Sequence, residues 1–115
     1  MMTLDQIARE LDLTLVTDSR NLSEVTPTGG YVSDMLSCVM SGAPRQGIWV
    51  TLQAHVNIVA VAALLELAAI IVTENALLDP AAISRANEKG VTIFSTPKTS
   101  FEVAGLLWQL GLRAG

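Results

Sequence analysis

Polar side chains able to bind a ligand follow several apolar stretches of this chain. In parallel α/β sheets, side chains just after the strands converge with helix N-termini at one edge, which is where ligands bind. The alternative role of such hydroxyl and amide groups is only to cap helices and close turns. We predict a ligand-binding site formed by Thr51, Gln53, His55, Asn57 and Thr73.

A second polar group lies earlier in the chain, where Ser33, Asp34 and Ser37 occupy one face at the start of a predicted helix. As a catalytic group they lack a base, because His55 is the one histidine and no acid is placed to orient it. Capping by Ser33 and Asp34 is the expected role. Asp34 and Ser37 remain further candidates for the ligand site, lying across from the first group, and we expect no enzymatic activity.

His55 is predicted at a helix start, where a protonated imidazole is disfavoured by the positive end of the helix dipole. It therefore suits a neutral hydrogen-bonding group, with an ordinary surface histidine as the alternative. One histidine and one cysteine do not supply the ligands that zinc requires, so we expect no metal site. The phosphate-binding loop and dinucleotide-binding motifs are also missing from the sequence, and no cofactor is expected.

Composition narrows the class of protein. The chain has 115 residues, of which 50% are apolar, enough for one core, and its net charge of −4 argues against nucleic acid as a partner. The apolar run from Ile58 to Val72 is interrupted by Glu66 and is too short for a membrane span. The single Cys38 is predicted to be a small buried side chain, and the N-terminus lacks an export pattern, so we expect a cytoplasmic protein.

The elements that position the candidates follow from spacing and end signals. Thr3 caps a predicted helix to Leu11, short strands are predicted around Leu13 to Leu15 and near Val25 with a turn at Asp18 to Asn21, and a helix from Met35 is predicted to stop at Gly42. Beyond Gly47, strands and helices alternate. The predicted elements are Ile48 to Leu52, His55 to Leu67, Ala69 to Thr73, Pro80 to Lys89, Val91 to Ser95 and Ser100 to Leu110. This order predicts one three-layer α/β domain over residues 1–115, with a mostly parallel sheet flanked by helices.

Three runs of the chain together resemble one family. They are Tyr31-Val-Ser-Asp-Met-Leu-Ser-Cys-Val-Met40, Ile48-Trp-Val-Thr-Leu-Gln-Ala-His-Val-Asn-Ile-Val-Ala-Val-Ala62 and Phe101-Glu-Val-Ala-Gly105. The chain resembles stand-alone DRTGG-domain proteins. This resemblance implies a fold similar to the N-terminal domains of HPr kinase/phosphorylase and of Mur ligases, and to the DRTGG modules of some phosphotransacetylases and of pyrophosphatases with CBS domains. It also implies a regulatory role without chemistry of its own, often at a dimer interface.

The motif that names the family departs here from its usual residues. Its Asp-Arg pair aligns with Ala54-His55, and its Thr-Gly-Gly aligns with Thr73-Glu74-Asn75, so that Thr73 alone is kept. The resemblance then implies His55 with Asn57 as the substitute polar pair. Ser33, Asp34 and Ser37 fit the stand-alone branch of the family.

Two functions remain open from the sequence. The first is a regulatory or ligand-sensing domain that binds a nucleotide or phosphorylated metabolite at the carboxyl edge of the sheet, with acidic groups held by helix N-termini. The second is a dimeric module that docks on a larger enzyme or kinase through exposed apolar residues such as Trp108 and Leu112. Trp49, within a predicted strand, is expected to pack in the core. A homodimer is expected in either case, because so apolar a small chain leaves much hydrophobic surface.

Overall fold

The computed structural model describes residues 2–18 and 20–115. The described helices are α1 (Leu4–Glu10), α2 (Leu36–Gly42), α3 (Asn57–Leu64), α4 (Pro80–Lys89) and α5 (Ser100–Gln109), with a short 3₁₀ helix at Leu22–Glu24. The described strands are β1 (Thr14–Leu15), β2 (Gly30–Val32), β3 (Ile48–Thr51), β4 (Ala69–Val72) and β5 (Ile93–Ser95). In these residues no helix is long and apolar enough to cross a membrane.

The strands form one sheet in the order β1-β5-β4-β3-β2. Strands β2, β3, β4 and β5 pair in parallel with their neighbours, and β1 runs antiparallel to β5 at one edge. The prediction of a mostly parallel α/β sheet is therefore confirmed. Because four strands are parallel, their carboxyl ends lie at a common edge of the sheet, which we call the carboxyl edge.

Helices cover both faces of the sheet. On one face, α2, α3 and α4 pack on a core that includes Trp49, Ile70 and Ile93. On the other face, α1 and α5 pack on a core that includes Val50 and Phe94. Strands β3 and β4 are buried along their whole length, as expected for strands that are covered on both sides.

Helix ends follow the chemistry of their caps. The Asp79 carboxylate accepts a hydrogen bond from Ala81 N at 2.9 Å, Pro80 occupies the first helical position, and Gly90 ends α4 at a φ of +73°. Thr99 caps α5 by accepting a hydrogen bond from Glu102 N at 3.1 Å. Both helices accordingly begin where the sequence predicts.

Several predicted elements differ in the structure. The predicted helix His55 to Leu67 is shorter, since residues 53–56 form a loop and α3 covers Asn57–Leu64. The strand predicted near Val25 is wrong, because this residue follows the 3₁₀ helix and its carbonyl accepts a hydrogen bond from Leu4 N at 2.7 Å. The strand Gly30–Val32 was not predicted. The turn predicted at Asp18 to Asn21 includes Ser19, which lies outside the described residues.

Candidate functional site

The carboxyl edge brings Asp34, Thr51 and Gln53 together. Asp34 lies between β2 and α2, and its Oδ1 accepts hydrogen bonds from Thr51 Oγ1 at 2.7 Å and from Leu52 N at 2.9 Å. Gln53 Nε2 donates to the backbone oxygen of Asp34 at 3.0 Å, and Gln53 N donates to Thr51 Oγ1 at 3.0 Å. These contacts join the loop after β2 to the loop after β3.

The predicted capping of α2 by Ser33 and Asp34 is wrong, because Met35 is the N-cap residue and no side chain caps this helix. Ser33 Oγ accepts a hydrogen bond from Met35 N at 3.1 Å, whereas the Asp34 carboxylate turns toward the end of β3. A tertiary contact explains this orientation of Asp34. Trp49 is fully buried, and its indole Nε1 donates to Ser33 O at 2.8 Å, which holds the loop after β2 beside β3. The burial of Trp49 confirms the packing role predicted for it.

Thr73 lies next to Thr51, and both threonines are completely buried. Thr73 N donates to Thr51 O at 2.9 Å, and the Thr73 hydroxyl lies 3.3 Å from Thr51 O and 2.6 Å from Ser100 Oγ. Hydrogen bonds thus extend from Asp34 through both threonines to the first residue of α5. The hydroxyl groups of Thr51 and Thr73 stabilise the edge and do not face solvent.

His55 and Asn57 are the candidates with exposed side chains at the start of α3. Asn57 N lies 3.4 Å from His55 Nδ1, and Ile58 N donates to His55 O at 3.2 Å. This contact uses Nδ1 of the imidazole ring, whereas Nε2 has no partner within the part of the chain that the structure describes. The polar groups of this segment that remain open to a ligand are His55 Nε2 and the side-chain amide of Asn57.

Ser37 is not part of this cluster. It is exposed on α2, and its backbone oxygen accepts hydrogen bonding from the Ser41 hydroxyl at 3.2 Å. Neighbouring Cys38 is only half-buried, with Sγ 3.6 Å from Met35 Sδ, so the prediction of a buried cysteine is wrong. Both residues lie on a helix with one fully buried side chain, Val39, and this leaves much of α2 at the surface.

Three of the helix N-termini at the carboxyl edge are contacted by side chains of the chain itself, whereas α2 begins after Met35 without a side-chain cap. Glu74 Oε2 lies 3.4 Å from Ser100 N at the start of α5, Asp79 caps α4, and His55 contacts the first turn of α3. The Lys98 ammonium donates to Leu11 O at 2.8 Å. Since the exposed charges here include the carboxylates of Asp34 and Glu74, this edge offers little attraction for a phosphate group.

Two apolar side chains beyond the ends of β4 and β5 are almost fully exposed. Leu77 is 94% exposed and Phe101 is 91% exposed, and Met35 and Leu52 are also exposed after β2 and β3. We call these four side chains, Met35, Leu52, Leu77 and Phe101, the apolar rim; none of them was predicted as a surface residue from the sequence.

The predicted apolar surface of α5 is partly present. Trp108 is 59% exposed, with the Arg113 guanidinium stacked 4.0 Å from its ring centre. Leu112 is half-buried and lines cavities of about 180 and 140 Å³, so its prediction as an exposed contact is wrong. It packs against the core that contains α1 and α5.

This geometry defines an α/β domain with both polar and apolar side chains exposed at the carboxyl edge of its sheet. The sequence matches the model of the DRTGG domain over residues 6–110, and the chain therefore belongs to the DRTGG domain family. The resemblance identified from the sequence is confirmed. A comparison with curated proteins gives no match.

The fold is similar to a crystal structure of the CBS and DRTGG domains from the regulatory region of Clostridium perfringens pyrophosphatase, complexed with the activator diadenosine tetraphosphate. The TM-score is 0.76 at 22% sequence identity, over 93% of this chain and 46% of that chain. This chain thus corresponds to about half of that regulatory region. The likeness establishes the α/β fold.

Proposed function

We propose that residues 1–115 act as a regulatory domain that carries out no chemistry and senses a nucleotide or phosphorylated metabolite at the carboxyl edge. Family membership and the similarity to a regulatory region support a regulatory role. The observation that carries the proposal is the hydrogen bonding of Asp34 to both Thr51 and Leu52, which fixes the loop that presents His55 and Asn57. A binding segment held in place before the ligand arrives loses less entropy on binding.

The charges at the edge indicate which part of such a ligand is recognised. The N-termini of α5, α4 and α3 are contacted by Glu74, Asp79 and His55, and the carboxylates of Asp34 and Glu74 are exposed at the same edge, so this edge attracts phosphates only weakly. The uncharged nucleoside part fits better, because an imidazole and amides can bond to the edge of a base and Leu52 offers an apolar contact. In this proposal the phosphates extend into solvent.

A thermal-shift screen tests the proposal with adenosine, uridine, their mono- and triphosphates and diadenosine tetraphosphate. A ligand that binds the folded state raises the melting temperature by mass action. We expect adenosine or uridine to give a shift comparable to that of its nucleotide, and His55→Ala to abolish both shifts. Gln109→Ala, at an exposed position near the end of α5, is the matched control and should leave the shift intact.

Other results would count against the proposal. If no compound of the panel raises the melting temperature, the proposed nucleotide sensing is wrong. If a ligand still raises the melting temperature of His55→Ala, the binding site does not lie at the start of α3. A response to phosphate-bearing compounds alone contradicts recognition of the nucleoside part.

The apolar rim supports a second candidate, a homodimeric docking module. Side chains as exposed as Leu77 and Phe101 lose solvent contact only when another surface covers them, and exposed apolar patches commonly mark protein interfaces. Light scattering of the wild type and of a Leu77→Ser/Phe101→Ser variant tests this function. We expect a dimer that the double substitution converts to a monomer, whereas Leu64→Ser, at an exposed leucine on α3, should leave it intact. A monomeric wild type excludes the homodimer.

A further inference from the structure

Helix α3 has an unusually apolar outer surface. Seven of its eight residues are apolar, and it contains no charged side chain. Ile58, Val59 and Ala62 are buried against the sheet, but Ala60 and Leu64 face outward, and Leu64 is 64% exposed. Since a helix that is apolar on all sides is normally covered on all sides, this outer surface calls for an occupant.

A cleft of about 500 Å³ lies between this surface and α4. Its lining is Val59, Ala60, Ala63, Leu64, Arg85 and Lys89. The floor is thus apolar, while two cations stand on the α4 side. Ligand sites typically have volumes of about 300–1,000 Å³ and combine an apolar lining with a few polar groups, which is the composition found here.

The cation Lys89 is distinctive in a chain with a net charge of −4. Within residues 2–18 and 20–115, each of the other six basic side chains forms an ion pair or donates a hydrogen bond, and Lys89 does neither. Arg85 pairs with Glu88 at 3.4 Å, but both groups are more than half exposed, so the pair is weak. Because Arg85 and Lys89 are four residues apart in α4, they project from the same side of the helix.

We propose that this cleft binds an amphipathic anion, with an apolar chain along Ala60, Ala63 and Leu64 and a carboxylate or phosphate head group between Arg85 and Lys89. The site is separate from the carboxyl edge and goes beyond the regulatory site proposed there. A free acyl anion and an anionic lipid share this chemistry. Glu88 is the acidic group beside the head-group position and weakens the attraction for an anion.

Decanoate titrated into the full chain below its micelle concentration tests the site, with backbone amide NMR shifts as the measurement. We expect saturable shifts at Ala60, Leu64 and Lys89. Acetate, which lacks the chain, and decanol, which lacks the charge, should bind at least about fivefold more weakly. Vesicles of phosphatidylglycerol, compared with vesicles of phosphatidylcholine, form a second arm that detects the lipid as the source of the anion.

Three variants separate this site from non-specific binding to apolar surface. Lys89→Glu should weaken decanoate binding by about five- to twentyfold, because an attraction becomes a repulsion. Glu88→Gln should tighten it by about twofold, a gain that loss of structure cannot produce. Leu64→Ser should weaken it without lowering cooperativity of thermal unfolding. Binding of neither decanoate nor anionic vesicles, or binding that is indifferent to Lys89→Glu and Glu88→Gln, would overturn the proposal.

Discussion

Replacing Asp34 by alanine removes the carboxylate that joins two loops of the carboxyl edge. Its Oδ1 accepts hydrogen bonds from the hydroxyl of Thr51 at 2.7 Å and from the backbone amide of Leu52 at 2.9 Å. Hydrogen bonds to charged groups contribute about 1.5–3 kcal/mol each when shielded, but Asp34 is itself exposed and Leu52 N can bond to water instead. The cost therefore falls mainly on Thr51, whose hydroxyl is completely buried and would lose its acceptor.

From this balance we expect Asp34→Ala to lower the free energy of unfolding by about 2 kcal/mol. For a chain of this size, such a loss corresponds to a decrease of about 8 °C in melting temperature. Urea unfolding followed by circular dichroism measures the free energy, and hydrogen exchange of the Leu52 amide measures the local effect. Asp34→Asn keeps an acceptor oxygen and should lose less than half as much stability.

A double-mutant cycle assigns the effect to the pair. In a Thr51→Val background the buried hydroxyl is absent, so Asp34→Ala should cost about 1 kcal/mol less than in the wild type. Ser37→Ala, an exposed position on the following helix, is the control and should stay within about 0.5 kcal/mol of the wild type. Wild-type stability of Asp34→Ala, with unchanged exchange at Leu52, would refute this account of the edge.

Other predictions concern backbone space and charge. Gly105→Ala should stabilise α5 by about 0.5–1 kcal/mol in thermal unfolding, because no atom outside the adjoining helix backbone and the two neighbouring residues lies within 4 Å of the added methyl group; a loss of stability would contradict this. Gly29→Ala should destabilise by about 1–3 kcal/mol, since its methyl group would lie 2.8 Å from Arg113 O, and wild-type NMR shifts at Arg113 would count against it. The Thr3 hydroxyl, more than the nearby backbone amides, lowers the pKa of Asp5. The charged Asp5 carboxylate contributes its full stabilisation above about pH 4, and this contribution is lost as the pH falls through the lowered pKa. The difference in free energy of unfolding between wild type and Asp5→Asn should therefore be larger at pH 6 than at pH 2. An equal difference at the two pH values would show that the charged carboxylate does not stabilise the fold.

Elements with strong local end signals were predictable from the sequence. The pair Asp79-Pro80 and the glycine at position 90 define α4, and the buried apolar run Ala69–Val72 defines β4. Strand β2 lacked such signals, because three residues give almost no pattern and its pairing with Ile48, Trp49 and Val50 depends on distant parts of the chain. Parallel pairing of this kind is decided by tertiary structure.

The candidate site was predictable in position but not in detail. Polar residues after parallel strands must gather at one edge, and Asp34, Thr51 and Gln53 do so. The hydroxyl of Thr51 faces a partner 17 residues away, a contact that local spacing does not reveal. The exposure of Leu77 and Phe101 was likewise not predictable, since apolar residues are usually buried.

The backbone at residues 73–75 bears on what the family motif does. Glu74 and Asn75 have φ values of +59° and +56°, the left-handed region that glycine adopts without a steric cost and other residues adopt at about 1–2 kcal/mol each. The Thr-Gly-Gly that the resemblance implies for these positions is thus explained by the turn alone, and the buried Thr73 hydroxyl is explained by its contacts with Thr51 and Ser100.

In this chain the same turn carries an additional carboxylate. Glu74 Oε2 lies 3.4 Å from Ser100 N at the N-terminus of α5, where glycine would leave the amide open to an anion. The Glu74 carboxylate therefore occupies the position at the start of α5 where an anionic ligand could otherwise bind. In the proposed function, ligand recognition at the carboxyl edge therefore depends on His55 and Asn57 and not on residues 73–75.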